Sequence, residues 1–154
     1  MTPEKEKDTS NRELLTKCAG PELAKILFDY GIEAYVSHGT TLFEPGDQSG
    51  QFYLITEGSV AIEQPGTTCS TRVETLKAGD LLGWSALIGS GTRHFTARAL
   101  TDVSALSFDG ATLRRACERD PQFGYKLMLR LLLLVTERLD ATRNRLSDAR
   151  DRRI

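Results

Sequence analysis

The sequence predicts a mainly β fold with flanking helices, in which a β sandwich or roll is followed by one long C-terminal helix. Three observations carry that reading. From Ile32 to Phe108 the chain consists of short runs rich in Val, Ile, Thr, Phe and Tyr, punctuated by Gly and Asp. Helical spacing of apolar residues appears on both sides of this segment. The stretch from about Gln122 to Ser147 has no internal proline and only one glycine, Gly124.

Taken in order, residues 1–11 are polar with mixed charge, offer almost nothing to bury, and are expected to be a disordered tail. Helical signals follow in Glu13–Cys18. They recur after Pro21, where Leu23, Ile26, Leu27 and Tyr30 share a face and Gly31 stands ready to end the helix. In the β segment Ile32, Ala34 and Val36 alternate with polar neighbours, as do Val60 and Ile62 after Gly58, and Leu100, Val103, Ala105 and Ser107 later on. Gly39, Gly46, Gly58, Gly66 and Gly79 mark turns between these runs, with Gly46-Asp47 and Gly79-Asp80 in similar strand-to-turn positions. Asp109 or Gly110 then caps a short helix over Ala111–Glu118, and Asp120-Pro121 starts the long one. The expected division is a tail over 1–11, a helical lead-in and β-roll over 12–121, and the long helix over 122–154.

Along that helix Met128, Leu132, Val135, Leu139, Thr142 and Leu146 recur at alternating steps of four and three, a coiled-coil seam. Leu127, Leu131 and Leu134 form an adjacent stripe, so the first half of the helix carries more apolar surface than one neighbour covers. One stripe is expected to pack on the chain's own β-roll while the seam meets a second copy, giving a homodimer.

Composition narrows the function. A chain of 154 residues, 40% hydrophobic and 27% charged, has room for one ordinary core. A formal net charge of −1, from 20 basic and 21 acidic side chains, supplies no global attraction to nucleic acid or an anionic membrane. The most apolar run, Leu127–Val135, contains Arg130 and is too short to span a bilayer, and the N-terminus lacks the apolar stretch of a signal peptide. Cys18, Cys69 and Cys117 form no CxxC pair and are odd in number, which favours free thiols in a reducing compartment. Cys18 and Cys117 fit as small fillers on helices, and Cys69 lies in an exposed turn. The expected location is cytoplasmic.

Two cassettes are more specific. Phe43-x-x-Gly46-Asp47 is followed by Phe52-Tyr53-x-Ile55-x-x-Gly58-x-Val60, and then by Leu76-x-x-Gly79-Asp80-x-x-Gly83. In this order they resemble the cyclic-nucleotide-binding domain family, in particular the sensor half of bacterial regulators of the catabolite-activator and fumarate-nitrate type. The resemblance spans about Ile32 to Leu146. It implies an eight-stranded, jelly-roll-like β-roll preceded by short helices and followed by a long helix that often forms a dimer interface.

The resemblance also places a ligand site. The family's phosphate-binding cassette runs Gly-Glu-x-Ala-Leu, a short helix and loop, then Arg-Ala-Ala-Thr; the equivalent stretch here is Gly83-Trp84-Ser85-Ala86-Leu87 through Thr92-Arg93-His94-Phe95-Thr96. As an anion site it is physically sensible. A short helix near Ser85 directs backbone N–H groups outward, Gly89 and Gly91 permit close approach, Arg93 brings a planar charge, and Ser85 and Thr92 add hydroxyl donors. The implied ligand is a cyclic nucleotide (cAMP or cGMP) or another small anion.

The departures are concrete. Trp84 stands where the family has a glutamate that accepts from the ribose hydroxyl, and an indole only donates. His94 and Phe95 replace two small residues. Losing an acceptor costs about 1–3 kcal/mol, roughly one to two decades of affinity. Two readings result: a regulatory sensor whose Arg93 loop binds an anionic or nucleotide-like effector and signals through the helix to a protein partner, or a ligand-free dimeric module with Trp84 and Phe95 filling the pocket. A DNA-binding domain after the helix requires more chain, and the ending Arg150-Asp151-Arg152-Arg153-Ile154 is short and broken by an acid, so direct DNA binding is not expected. Catalysis is not expected either: His38 and His94 are widely separated, and no nucleophile elbow, P-loop or HExxH occurs.

Overall fold

A computed structural model describes residues 2–48, 50–88 and 91–151. Two helices, α1 (Pro3–Ala19) and α2 (Pro21–Tyr30), lead into eight strands. These are β1 (Ile32–Val36), β2 (Thr41–Phe43), β3 (Gln51–Glu57), β4 (Ser59–Gln64), β5 (Thr71–Lys77), β6 (Leu81–Leu82), β7 (Thr96–Ala99) and β8 (Val103–Asp109). A one-turn helix, α3 (Ser85–Ile88), lies between β6 and β7, and α4 (Gly110–Arg119) and α5 (Pro121–Asp151) close the chain. The strands form two four-stranded antiparallel sheets, ordered β1-β8-β3-β6 and β2-β7-β4-β5, which is the predicted β-roll with its long C-terminal helix.

The N-terminus departs from expectation: α1 is helical from Pro3, through most of the span read as a disordered tail. Its polar residues make contacts that hydropathy does not register. Lys7 Nζ donates to Tyr35 Oη and sits 4.1 Å from that ring's centre, Asn11 Nδ2 donates to Glu33 Oε1 at 3.2 Å, and the Arg12 guanidinium lies 3.8 Å from the Phe28 ring centre. Asn11 is buried beside Leu15.

Strand β3 divides the core. Phe52 and Leu54 face the helices and pack with Leu15, Leu23, Leu27, Leu113, Phe123 and Leu127, while Ile55 joins Val60, Leu76, Leu82 and Val103 between the sheets. The Phe52 and Phe108 rings stack with centroids 5.1 Å apart, paired directly across β3 and β8. Burying side chains of this size stabilises the fold by about 1.5–3 kcal/mol each. Between the sheets some residues are smaller, with Ala97 and Ala99 fully buried, and this leaves space toward the β5 side.

The two Gly-Asp turns share one device. Asp47 Oδ2 accepts from Glu44 N at 2.8 Å, and Asp80 Oδ2 accepts from Lys77 N at 2.9 Å, so each aspartate ties off the chain three residues earlier. At the far end Asp109 caps α4, accepting from Thr112 N at 2.9 Å and Thr112 Oγ1 at 2.6 Å. The three cysteines are free, with Cys18 and Cys117 half-buried on helices and Cys69 exposed. Among the described residues no helix is long and apolar enough to cross a membrane, and no cluster of three metal-ligating side chains occurs.

Candidate functional site

The site forms where the chain between β6 and β7 folds back on the first Gly-Asp turn. Arg93 N donates to Asp47 O at 2.8 Å and Gly46 N donates to Arg93 O at 2.9 Å, so the Gly46-Asp47 turn fixes the arginine's backbone. Its side chain turns inward and is 6% exposed. Nη1 donates to Gly83 O at 2.8 Å and to Ser85 Oγ at 3.3 Å, Nη2 donates to Gln51 O, and the guanidinium carbon lies 4.4 Å from the Phe43 ring centre. Nε is buried without a hydrogen-bond partner among the described residues. Burial pushes the guanidinium pKa down from its ordinary value, and among the described residues no carboxylate is in ion-pair contact with it.

The arginine borders a cavity of about 330 Å³ lined mainly by apolar side chains, among them Phe43, Ile62, Val73, Leu76 and Leu82. Gly83, Trp84, Ser85, His94 and Phe95 complete much of its wall, together with Glu74 and Arg138. Trp84 is half-buried, whereas His94 and Phe95 are exposed and border the opening. Trp84 and Phe95 therefore line the space and do not fill it, which corrects the reading in which they plug the pocket.

Support for the cassette comes from behind. Ala86 and Leu87 of α3 are buried, so these two predicted ligand residues serve packing and do not line the cavity. Arg114 of α4 donates to Ala86 O at 2.8 Å. The first residue of α4, Gly110, approaches so closely that a Cβ there would lie 2.2 Å from Ala86 O. Thr92 is exposed and bridges to Gln48, and Thr96 begins β7 opposite Glu63; neither lines the cavity. Gly89, read with Gly91 as permitting close approach, lies outside the described residues.

Sequence reading missed several contributors. Gln51 acts through its carbonyl, which no side-chain pattern reveals. Phe43 was visible in the Phe-x-x-Gly-Asp motif, but its place over Arg93 depends on the fold. Glu74 and Arg138 come from β5 and α5, far apart in the chain, and meet at 3.5 Å. Of the predicted seam on α5, Met128, Leu132, Leu139 and Leu146 are exposed. Val135 and Thr142 are half-buried; Val135 lines a cavity beneath α5, and Thr142 Oγ1 donates to Arg138 O of its own helix. The exposed apolar face is instead widened by Tyr125, Leu129 and Leu133.

Comparison with known proteins agrees with this geometry. The family model described as "Cyclic nucleotide-binding domain" matches residues 33–120. The chain is 35% identical over 77 residues to a cAMP-dependent protein kinase regulatory subunit of Schizosaccharomyces pombe, covering 50% of this chain and 18% of that protein. It is 33% identical over 106 residues to cGMP-dependent protein kinase, isozyme 1, of Drosophila melanogaster, covering 66% of this chain and 14% of that protein. The chain thus spans less than a fifth of either curated relative. The crystal structure of a cyclic nucleotide-binding domain from Methylobacillus flagellatus KT superposes with a TM-score of 0.81 at 19% identity, over 94% of this chain and 84% of that one. With the β-roll, the two Gly-Asp turns and the inward arginine described, the chain belongs to the cyclic nucleotide-binding domain family.

Proposed function

We propose that this protein is a regulatory ligand sensor that binds an anionic, nucleotide-like effector in the Arg93 cavity and signals through a dimer formed by α5. The carrying observation is Arg93 itself: a buried cation at the edge of an open cavity, satisfied among the described residues by neutral oxygens and an aromatic face, with Nε unpartnered among them. Burying a charge is costly, and a phosphate oxygen entering the cavity supplies the missing counter-charge through short, charge-assisted hydrogen bonds. Ser85 Oγ lies within reach of the same guanidinium and adds a hydroxyl to the anion's surroundings.

Trp84 changes what surrounds the rest of the effector. With no carboxylate at that position, a ribose hydroxyl loses its acceptor, while the half-buried indole offers a flat face on which a base can stack. The curated relatives' names include cAMP and cGMP, and these two are the natural first probes. The exposed apolar stripe of α5 supports the dimer, because such a surface is unfavourable in water and self-complementary pairing covers it.

Fluorescence titration tests this reading, since Trp84 is the chain's single tryptophan. Addition of cAMP or cGMP is expected to change its emission and to raise the melting temperature, and Arg93→Ala is expected to abolish both responses. At a hundred times Kd a ligand contributes about 2.7 kcal/mol of stability, well within reach of a melt. Silent emission and an unshifted melt with both nucleotides would contradict the choice of effector.

A further inference from the structure

Glu74 of β5 brings a negative charge to the Arg93 cavity, and among the described residues it is the only carboxylate lining that space. Two features of β5 carry it there. Glu74 pairs with Ile62 of β4 and stands two residues before the buried Leu76, so alternation sets both on the inner face of the sheet. The pairing then passes from Glu74 to Arg72 and skips Val73, a bulge that leaves both Val73 and Glu74 on the cavity wall. The Glu74 side chain is 22% exposed, and its Oε1 lies 3.5 Å from Arg138 Nε. Among the described residues that long contact is the carboxylate's only polar partnership, although an ionised carboxylate offers about four acceptor positions. Glu74 and Trp84 also line together a second cavity of about 210 Å³ beside the Gly79-Asp80 turn, so the carboxylate and the indole share the boundary between the two spaces.

We infer that Glu74 is a specificity-determining residue that reads the edge of the effector's base and selects guanine over adenine. The inference rests on the nucleotide-site reading given above, in which Arg93 takes the phosphate and Trp84 the face of the base. A base stacked on Trp84 has its edge beside the neighbouring carboxylate, and a carboxylate only accepts. Guanine presents an N1–H and an N2 amino group side by side, two donors that match the two carboxylate oxygens in a paired, charge-assisted contact. Adenine presents one amino group next to an unprotonated N1, whose lone pair repels the second oxygen. Sites that hydrogen-bond a ligand group reject the analogue lacking it, because their own buried polar atoms are then left unpaired. The cavity's other walls do not make this distinction: Phe43, Ile62, Leu76 and Leu82 are apolar, and Ser85 Oγ lies against the Arg93 guanidinium.

Three cyclic nucleotides that differ only in the base edge test this by calorimetric titration of the full chain: cGMP, cAMP, and cyclic inosine monophosphate, which keeps N1–H and lacks the amino group. The unmodified chain is expected to bind cGMP at least tenfold more tightly than cAMP, with the inosine nucleotide between them. Glu74→Gln replaces one acceptor oxygen by a donor. It is expected to weaken cGMP roughly tenfold and leave cAMP unchanged or tighter, so that the preference collapses. A merely structural Glu74 predicts equal weakening of all three nucleotides in Glu74→Gln; that result overturns the inference. Equal affinities for cGMP and cAMP in the unmodified chain, or a preference for cAMP, overturn it as well and leave the proposed function standing. If the unmodified chain binds none of the three, the proposed choice of effector fails and the inference fails with it.

Discussion

Gly83 and Arg93 compete for the same space: a Cβ on Gly83 would stand 2.6 Å from Arg93 Nη1 and 3.0 Å from its guanidinium carbon. Gly83 also has φ of +75°, a conformation side chains rarely adopt. The glycine of the cassette is thus required both by its own backbone and by the arginine above it. Gly83→Ala is expected to displace the guanidinium from Gly83 O, weakening nucleotide binding by at least tenfold in a Trp84 fluorescence titration while the far-UV circular dichroism stays native. Unaltered binding in that variant would show that Arg93 does not use the observed position.

Gly110 plays a comparable part in supporting the cassette. With a Cβ only 2.2 Å from the Ala86 carbonyl oxygen, Gly110→Ala forces α3 and α4 apart, and because the obstruction is backbone it cannot be relieved by a rotamer change. The expected cost is about 1–3 kcal/mol, visible in chemical denaturation. A stability within experimental error of the unmodified chain would refute the close approach.

Asp109 sets an acid-sensitive contribution. The hydrogen bonds from Thr112 Oγ1 and N hold its carboxyl pKa below the ordinary aspartate value. Because the folded state favours the ionised form, this stabilisation is complete above the unfolded value of about 4 and is lost as pH falls through the depressed folded value. Asp109→Ala should cost about 0.5–2 kcal/mol at pH 7, and the difference from the unmodified chain should shrink on acidification. A difference that grows at low pH would contradict the assignment.

The α5 face makes a prediction about assembly. Leu129 and Leu132 are 46% and 61% exposed, so charge at these positions leaves the fold intact. Light scattering at micromolar concentration is expected to give a dimer for the unmodified chain and a monomer for the Leu129→Glu, Leu132→Glu variant. A monomeric unmodified chain would refute the dimer.

The fold was readable because its local signals agreed with one another. Alternation in β1, β4 and β8, glycines at the turns and the uninterrupted α5 all pointed to a β-roll with a long helix. The first half of α1 was not readable, since its polar face is satisfied by Tyr35, Glu33 and Phe28, residues distant in sequence, whereas Glu13–Cys18 carried a helical signal. The same limit applied at the site. Arg93, Trp84 and Gly83 could be identified by spacing, but not the Gln51 carbonyl, the Phe43 ring or the Glu74–Arg138 wall, which only tertiary structure brings together. On α5 the heptad spacing was legible but burial along it was not: Val135 is half-buried over a cavity beneath the helix and Thr142 is half-buried, while Met128, Leu132, Leu139 and Leu146 are exposed.

The central claim is that Arg93 is the anion-binding group of an open cavity. Its most direct test is titration of the unmodified chain, Arg93→Ala and Arg93→Lys with cAMP and cGMP, following Trp84 emission, with each variant first shown to be folded. The account predicts saturable binding by the unmodified chain, loss in Arg93→Ala, and a partial response in Arg93→Lys, which keeps the charge without the planar fork. Equal binding by the unmodified chain and a folded Arg93→Ala variant would contradict it.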